Sequence, residues 1–436
     1  MALSGWFVIL MALGAVPLVA TGQWYWILVW PAFAVLLGMI DFALAASART
    51  LRVTRNTPSR VRLGETVEFD LTLENLGRKF LRGKLRDSWQ PSAVVQPTRV
   101  SIRVPAGERR KYRLALTPIR RGERRTSEIV IRSVGPLRLV ARQTVLDVPG
   151  RIRVLPPFNS RKHLPSRLAM LRELEGRTPV MIRGQGTEFD SLREYVRGDD
   201  RRSIDWRATA RRFDPQGGNK LMVRTWRPER DRQVVILIDS GRSSATRIEN
   251  EPRLDTYFES ALLLAALATH AGDRVNLLVF DRRVRGRVQG FSGAELLSKM
   301  VDAMAPIEPE LLEPDWAAVP GLIRSITSHR ALVVIATSIE TASASTGLLG
   351  ILGQLTKRHT VVVSSATDPT ILETTTLRQD REEVYRAAAA ERALLDLSRL
   401  SAAIHQMGAE VVTDSPYKLP PALADRYIAL KAAGRL

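Results

Sequence analysis

Residues 4–46 contain a single charged side chain, Asp41. A stretch that apolar must be buried either in a large core or in lipid, and this constrains the fold more than any other feature of the chain. It divides at Thr21, Gly22 and Gln23 into two apolar runs, 5–20 and 24–40. At 1.5 Å per residue, about 17 residues reach roughly 25 Å, enough for a thin hydrocarbon core. Trp6, Trp24, Tyr25, Trp26 and Trp30 fall near the expected ends, where amphipathic rings prefer the headgroup region. A cleaved signal peptide would carry a basic region ahead of its apolar run, and a second apolar run would not follow at once. The expectation is a two-helix transmembrane hairpin over 1–48. Arg49, Arg52, Arg55, Arg60 and Arg62 follow it, while the turn is uncharged. The positive-inside rule then puts both flanks in the cytoplasm, as a multi-pass inner-membrane protein with cytoplasmic soluble domains.

Charge is distributed unevenly over the 436 residues. Residues 49–150 carry 23 Lys/Arg against 9 Asp/Glu, and residues 151–230 carry 19 against 10. Residues 231–436 carry 23 against 25, so the net charge of +20 belongs to the first half. Beside anionic lipid, each basic residue near the surface contributes about 1 kcal/mol. There is no cysteine, which excludes disulfides, thiolate metal sites and cysteine nucleophiles.

Residues 49–155 alternate apolar and polar positions, as at Val67, Phe69, Leu71 and Leu73, and break at Asn75 and Gly77. Short strands at about ten-residue spacing, separated by Gly and Pro turns, predict an all-β sandwich of immunoglobulin-like type. Residues 156–230 read as a connecting region with one helix near 166–175. From Gln233 onward, near-continuous apolar strands alternate with helices, which predicts a parallel sheet covered on both faces, a doubly wound α/β domain over 231–436.

Ligands of such sheets bind beyond the carboxyl ends of the strands. The first such end reads Asp239-Ser240-Gly241-Arg242-Ser243. It resembles the metal-ion-dependent adhesion motif of von Willebrand factor type A domains, which reads Asp-x-Ser-x-Ser. That resemblance implies one carboxylate and two hydroxyls around a hard divalent cation such as Mg²⁺. Asp239 and Ser243 match, and Gly241 stands at the middle ligand position. The second loop, Glu313-Pro314-Asp315-Trp316, lacks the family's threonine. The third, Thr337-Ser338-Ile339-Glu340, lacks its aspartate. A vestigial polar crown on a retained fold is therefore expected, without a cofactor, and a cation at Asp239 and Ser243 is the alternative.

Gly184-x-Gly186 lacks the lysine and the spacing of a phosphate loop, and a turn is the simpler reading. His163, His270, His329, His359 and His405 show no helical pairing, so helix or loop surface is expected for each. No GxSxG elbow marks a hydrolase serine. No catalytic residue is assigned, and nothing in the chain calls for an enzyme.

The densest mixture of charge lies between. The run Gly184-x-Gly186-x-Glu188-Phe189-x-Ser191-Leu192-Arg193-Glu194-Tyr195 is followed by Gly198-Asp199-Asp200-x-Arg202-x-Ile204-Asp205-Trp206. Together they resemble the signature of the bacterial domain of unknown function 58 family, whose setting also includes a membrane hairpin, a β-rich segment and a von Willebrand A-like domain. The resemblance implies a partner of MoxR-type AAA+ ATPases, found also with transglutaminase-like membrane proteins. On that basis the chain is expected to be a membrane-anchored, non-enzymatic adaptor or assembly protein in envelope maintenance.

Read from the residues alone, Asp199 or Asp200 is placed to cap a short helix. Ile204 and Trp206 are expected to anchor the segment on a neighbouring domain. Glu188, Arg193, Glu194, Arg202 and Asp205 suit ion pairs bracing the two soluble domains, with Tyr195 beside them. The alternative is a docking face for an acidic partner. A nucleic-acid track would want aromatics interleaved with the arginines, and the intruding acids favour internal pairing. The expected partners are the lipid bilayer, the ATPase and other membrane proteins, with a membrane-tethered nucleic-acid binder as the remaining alternative.

Overall fold

The structure is a computed structural model and describes residues 2–177, 188–196, 199–211, 221–227, 232–249, 251–340 and 342–436. The chain divides into two compact units, Met1–Pro157 and Phe158–Leu436.

In the N-terminal unit the apolar stretch forms α1 (Gly5–Ala12), α2 (Ala15–Thr21) and α3 (Trp26–Leu44). The first expected span is thus not one helix but two short ones. The break sits at Gly14, where a Cβ would come within 2.3 Å of the Trp30 ring. The Gly14 amide donates to Met11 O, leaving the Leu10 carbonyl to accept from the Trp30 indole at 2.8 Å. The indole thus satisfies a carbonyl that the break deprives of its helical donor. Only α3, with 19 residues, is long and apolar enough to cross a membrane among the described helices.

Asp41, near the end of α3, is fully buried. One of its oxygens accepts the Leu137 amide at 2.8 Å, and the other accepts those of Leu139 and Val140 at 2.8 and 3.0 Å. The chain start joins the same turn, with the Ser4 amide donating to Leu139 O at 3.0 Å. A Cβ on Gly135 would meet the Asp41 carboxylate at 2.1 Å, so the turn closes only on glycine.

Seven longer strands follow: β1 (Leu51–Asn56), β2 (Val67–Asn75), β3 (Leu81–Asp87), β4 (Val100–Val104), β5 (Arg109–Leu116), β6 (Gly122–Val134) and β7 (Val140–Leu155). One sheet runs 2–3, β7, β6, β3, β4, and the other runs β1, β2, β5, 95–96. Phe69, Leu71, Leu73 and Leu114 from the second sheet pack with Leu81, Leu85, Ile102 and Ile131 from the first. This is the core that the alternation predicted. Across it, Arg55 of β1 pairs with Asp87 of β3 at 2.6 Å, and the Trp89 indole donates to the same carboxylate at 2.8 Å.

The C-terminal unit opens with α4 (Leu164–Arg177), whose Arg167 holds Asp425 through two bonds of 2.9 Å. This part of the expected connecting region therefore packs within the α/β unit. The main sheet comprises β10 (Gln233–Asp239), β11 (Arg274–Phe280), β12 (Val284–Val288), β13 (Ala331–Ala336), β14 (Thr360–Ala366) and β15 (Glu410–Asp414), after a hairpin of β8 (Glu188–Glu194) and β9 (Met222–Arg227). Its order is β12-β11-β10-β13-β14-β15, parallel except for the edge strand β12. Val235, Leu237, Val333 and Val363 fill the core on one face. On the other face lies the helix Arg253–His270, buried along nearly its whole length. The chain leaves β10 toward one edge and returns at β13 toward the other, so the strand order reverses between these two. His359, expected on a surface, is 8 % exposed and follows the helix Ala342–Thr356 into β14.

Candidate functional sites

Two places merit description as sites, and both lie in the C-terminal unit. The first is the crevice between β10 and β13. Asp239, at the end of β10, is fully buried. The Gly241 amide donates to one carboxylate oxygen at 2.7 Å, and the hydroxyls of Ser243 and Thr337 donate to the other, each at 2.8 Å. Burial pushes the Asp239 carboxyl up, against the pull of these three donors. The Gly241 and Leu312 loops lie directly against each other. Arg242 N donates to Leu312 O at 2.8 Å, and a Cβ on Gly241 would come within 2.6 Å of that carbonyl. The missing middle hydroxyl of the motif is therefore a steric requirement of this packing.

Thr337 heads the third loop, which the resemblance matched only for its aspartate, so its hydroxyl was not among the sequence-predicted site residues. A hard divalent cation takes 6–8 oxygens with several carboxylates or carbonyls. Here the Asp239 carboxylate accepts three protein donors, and no cluster of three acidic or imidazole ligands occurs among the described residues. One carboxylate and two hydroxyls, those of Ser243 and Thr337, do stand together here, engaged with one another. Beside this carboxylate, Arg253 donates to Ser338 at 2.9 Å and pairs with Glu340. The crevice is closed by internal bonds.

The second site is the signature segment. Gly184, Gly186 and Gly198 lie outside the described residues, and Glu188 is described through its backbone, in register with Arg227. Arg193 forms a two-bond pair with Asp199 at 2.8 and 2.6 Å, and Asp199 also accepts the Val196 amide at 2.9 Å. That pairing, before burial and charge, raises the Arg193 pKa. Tyr195 N donates to Leu221 O at 2.8 Å. Asp200 caps the 3₁₀ turn Arg201–Ser203 by accepting the Arg202 amide at 3.0 Å.

Asp205 caps the next helix, α5 (Trp206–Arg211), accepting the amides of Arg207 and Ala208 at 3.0 Å each. Its other oxygen takes Arg224 at 2.7 Å. The Ala208 amide first, then Arg224, holds the Asp205 carboxyl below its ordinary range. Ile204 forms a bridge with Val223 of β9. Each of these acids is thus spent on the segment's own backbone or on an arginine of the same segment.

Exposed side chains of the segment include four arginines and a tryptophan beside Glu194 and Asp200. Trp206, expected to be an anchor, is 68 % exposed. The reason is local: it is the first residue of α5, and the bonds to Asp205 and Val223 hold the other side of the turn inward. Arg201, Arg202, Arg207 and Arg211, all within five residues of it in sequence, are exposed too, as are Leu192 and Val196. Among the described residues none of these four arginines pairs with a carboxylate.

Comparison with known proteins follows the same segment. A family model described as protein of unknown function DUF58 matches residues 191–377. Uncharacterized proteins of Mycobacterium tuberculosis and Mycobacterium bovis are 25% identical over 233 residues, covering 52% of this chain and 71% of the relative. Among solved structures, a PapD-like domain of human CEP192 aligns with 24% of this chain and 84% of its own, at 13% identity and a TM-score of 0.18. The CARDB domain of the PF1109 protein of Pyrococcus furiosus covers the same share of this chain and 91% of its own, at 18% identity and the same score. Scores of this size assign no fold.

Proposed function

We propose that the chain is a membrane-anchored, non-enzymatic adaptor that docks an acidic protein partner on the face formed by Trp206, Arg201, Arg202, Arg207 and Arg211. The single observation that carries this is the exposure of Trp206 among arginines, while Asp199, Asp200 and Asp205 are consumed internally. Tryptophan and arginine dominate the energetics of protein interfaces, and an exposed tryptophan in an arginine-rich segment suits an apolar surface with acidic neighbours. The resemblance of the signature supplies the class of partner, a cytoplasmic MoxR-type AAA+ ATPase, and the setting, envelope maintenance.

In this reading α1 to α3 form a hairpin in the inner membrane, with both flanks and the soluble units cytoplasmic, as the arginines after Ala48 favour. The β region is an immunoglobulin-like sandwich, which its two sheets and shared core support. The C-terminal unit is a von Willebrand A-like domain, supported by the strand order and the antiparallel edge. Its polar crown at Asp239 is a structural knot. A cation-dependent route through Asp239 and Ser243 is the competing mechanism, and the bonds that Asp239 already accepts from Gly241, Ser243 and Thr337 weigh against it.

The test is affinity purification of the full chain from membranes, with Trp206→Ala and Arg202→Glu beside the wild type. Loss of the co-purifying ATPase at unchanged melting temperature is expected. Undiminished recovery from both variants would overturn the docking face, and loss on EDTA treatment would favour the cation route.

A further inference from the structure

The outer face of the first sheet of the N-terminal unit is arranged against its own stability. In register, Arg82 of β3 stands opposite Arg103 of β4, and Lys84 of β3 stands opposite Arg132 of β6. Like charges directly opposite on neighbouring strands repel. None of these four pairs with a described carboxylate, and Arg132 instead donates to Gln143 at 2.8 Å. Arg138 adds a fifth cation from the turn between β6 and β7. Its field, then burial, then Arg103, lowers the Arg82 pKa. Arg138 also sits at φ 59°, a left-handed conformation that a branched or long side chain adopts at a cost. The acids of this face, Glu128 and Asp147, lie at the far end, paired with each other in register.

The position of the cluster identifies its counter-charge. The turn that carries Arg138 is the one bolted to Asp41 at the end of α3. Around it, Leu76, Phe80 and Leu137 are 58, 53 and 50 % exposed, and Lys79 donates to Ala43 O at 2.9 Å. Exposed apolar loop side chains beside cations, level with the end of an apolar helix, match a membrane interface, with the rings and chains in the headgroup layer.

We infer that Arg82, Arg103 and Arg138, supported by Lys84 and Arg132, bind the phosphate of an anionic lipid headgroup in the leaflet where α3 ends. This rests on α3 being a membrane anchor. The bound phosphodiester offsets a repulsion that the protein does not relieve by itself, and it fixes the height of the sheet above the bilayer.

The experiment uses the full chain in a neutral detergent, with its melting temperature followed against short-chain phosphatidylglycerol, short-chain phosphatidylcholine, inorganic phosphate and a DNA duplex. Phosphatidylglycerol is expected to raise the melting temperature, and the other three are not. The variant Arg82→Gln, Arg103→Gln, Arg138→Asn is expected to bind phosphatidylglycerol about a hundredfold more weakly, as removal of three near-surface cations implies. Lipid-free, it melts no lower than the wild type because the repulsion is gone. Changing Lys111 and Arg113 of β5 to Gln leaves the response intact.

An equal response to phosphatidylcholine, to free phosphate or to the duplex would overturn the proposal, as would an undiminished response of the triple variant. Should that variant not fold, the exposed strand substitution Arg103→Glu replaces it with the same expected loss. Flotation with phosphatidylcholine vesicles separates the two readings. A chain that does not float overturns the anchor and this site together. One that floats while the arginine variants respond like the wild type overturns this site alone.

Discussion

Thr337 donates its hydroxyl to Asp239 at 2.8 Å and so ties the ends of β10 and β13 at the point where the strand order reverses. The crevice that binds ligands in open α/β sheets is here sewn shut by side chains of the sheet itself. Asp239→Ala leaves the buried Gly241 amide without an acceptor, which alone costs about 1–3 kcal/mol. Asp239→Asn keeps an oxygen for it and is expected to melt between Ala and the wild type. Because burial raises the Asp239 pKa, its contribution is fully present below the ordinary aspartate value and is lost as pH rises through the folded value. The advantage of the wild type over Asn therefore shrinks with rising pH, in melting curves taken with and without EDTA. An advantage that grows with pH, or a melting temperature that falls on chelation, would contradict this.

Asp205 has the opposite sign. The Ala208 amide and Arg224 depress its pKa, so the stability it supplies is present above the ordinary aspartate value and is lost as pH falls through the folded value. Asp205→Asn is expected to lower the melting temperature at neutral pH and to converge on the wild type under acid. Trp206→Ala, one residue away, leaves melting unchanged at every pH while weakening the partner by about 2 kcal/mol or more, the range of an interface hot spot. Circular dichroism melts paired with pull-down separate the two residues.

Arg55 and Asp87 form a pair whose side chains are 2% and 0% exposed. Removing one partner of such a pair costs about 3–5 kcal/mol, because the other charge is stranded. Asp87→Ala and Arg55→Ala are each expected to lose that much in urea unfolding. The double change Arg55→Met with Asp87→Leu recovers most of it. A double variant as unstable as the singles would show that the Trp89 and Val148 contacts, and not the charges, dominate the site.

Asp41→Leu makes the apolar stretch more apolar, so membrane extraction with detergent is expected to be unchanged. It also orphans the amides of Leu137, Leu139 and Val140, at about 1–3 kcal/mol for each buried donor. Limited proteolysis at 45–50 is expected to accelerate in membranes carrying Asp41→Leu, with Asp41→Asn intermediate. Equal cleavage of both variants and the wild type would mean that strand 2–3 and the Ser4 bonds hold the turn by themselves.

The strands of the α/β sheet were legible because burial on both faces writes itself as continuous apolar runs, as in Val234 to Ile238 and Leu332 to Ile335. The alternation over β2 was equally plain. The break at Gly14 was not, since it depends on Trp30, which is distant in sequence and supplies the indole that frees the chain from helix. Thr337 lies 98 positions from Asp239, and a hydroxyl at that range leaves no local pattern. Trp206 misled through its chemistry: a large aromatic in a charged segment suggests an anchor, yet capping by Asp205 turns it outward. Asp200 was readable as a cap because caps are local. The 158–177 segment was read as a connection because its partners, Glu259 and Asp425, are about a hundred or more positions away.

The three amides gripped by Asp41 leave no slack cord between the apolar helices and the strands. A tether would let the β region wander within a hemisphere set by linker length. A clamped stem instead converts any lean of α3 into the same lean of β7 and its neighbours. Bilayers that differ in thickness tilt a helix of fixed length by different angles. In the proposed reading of α3 as a membrane span, the sheet takes up that tilt like the needle of a gauge.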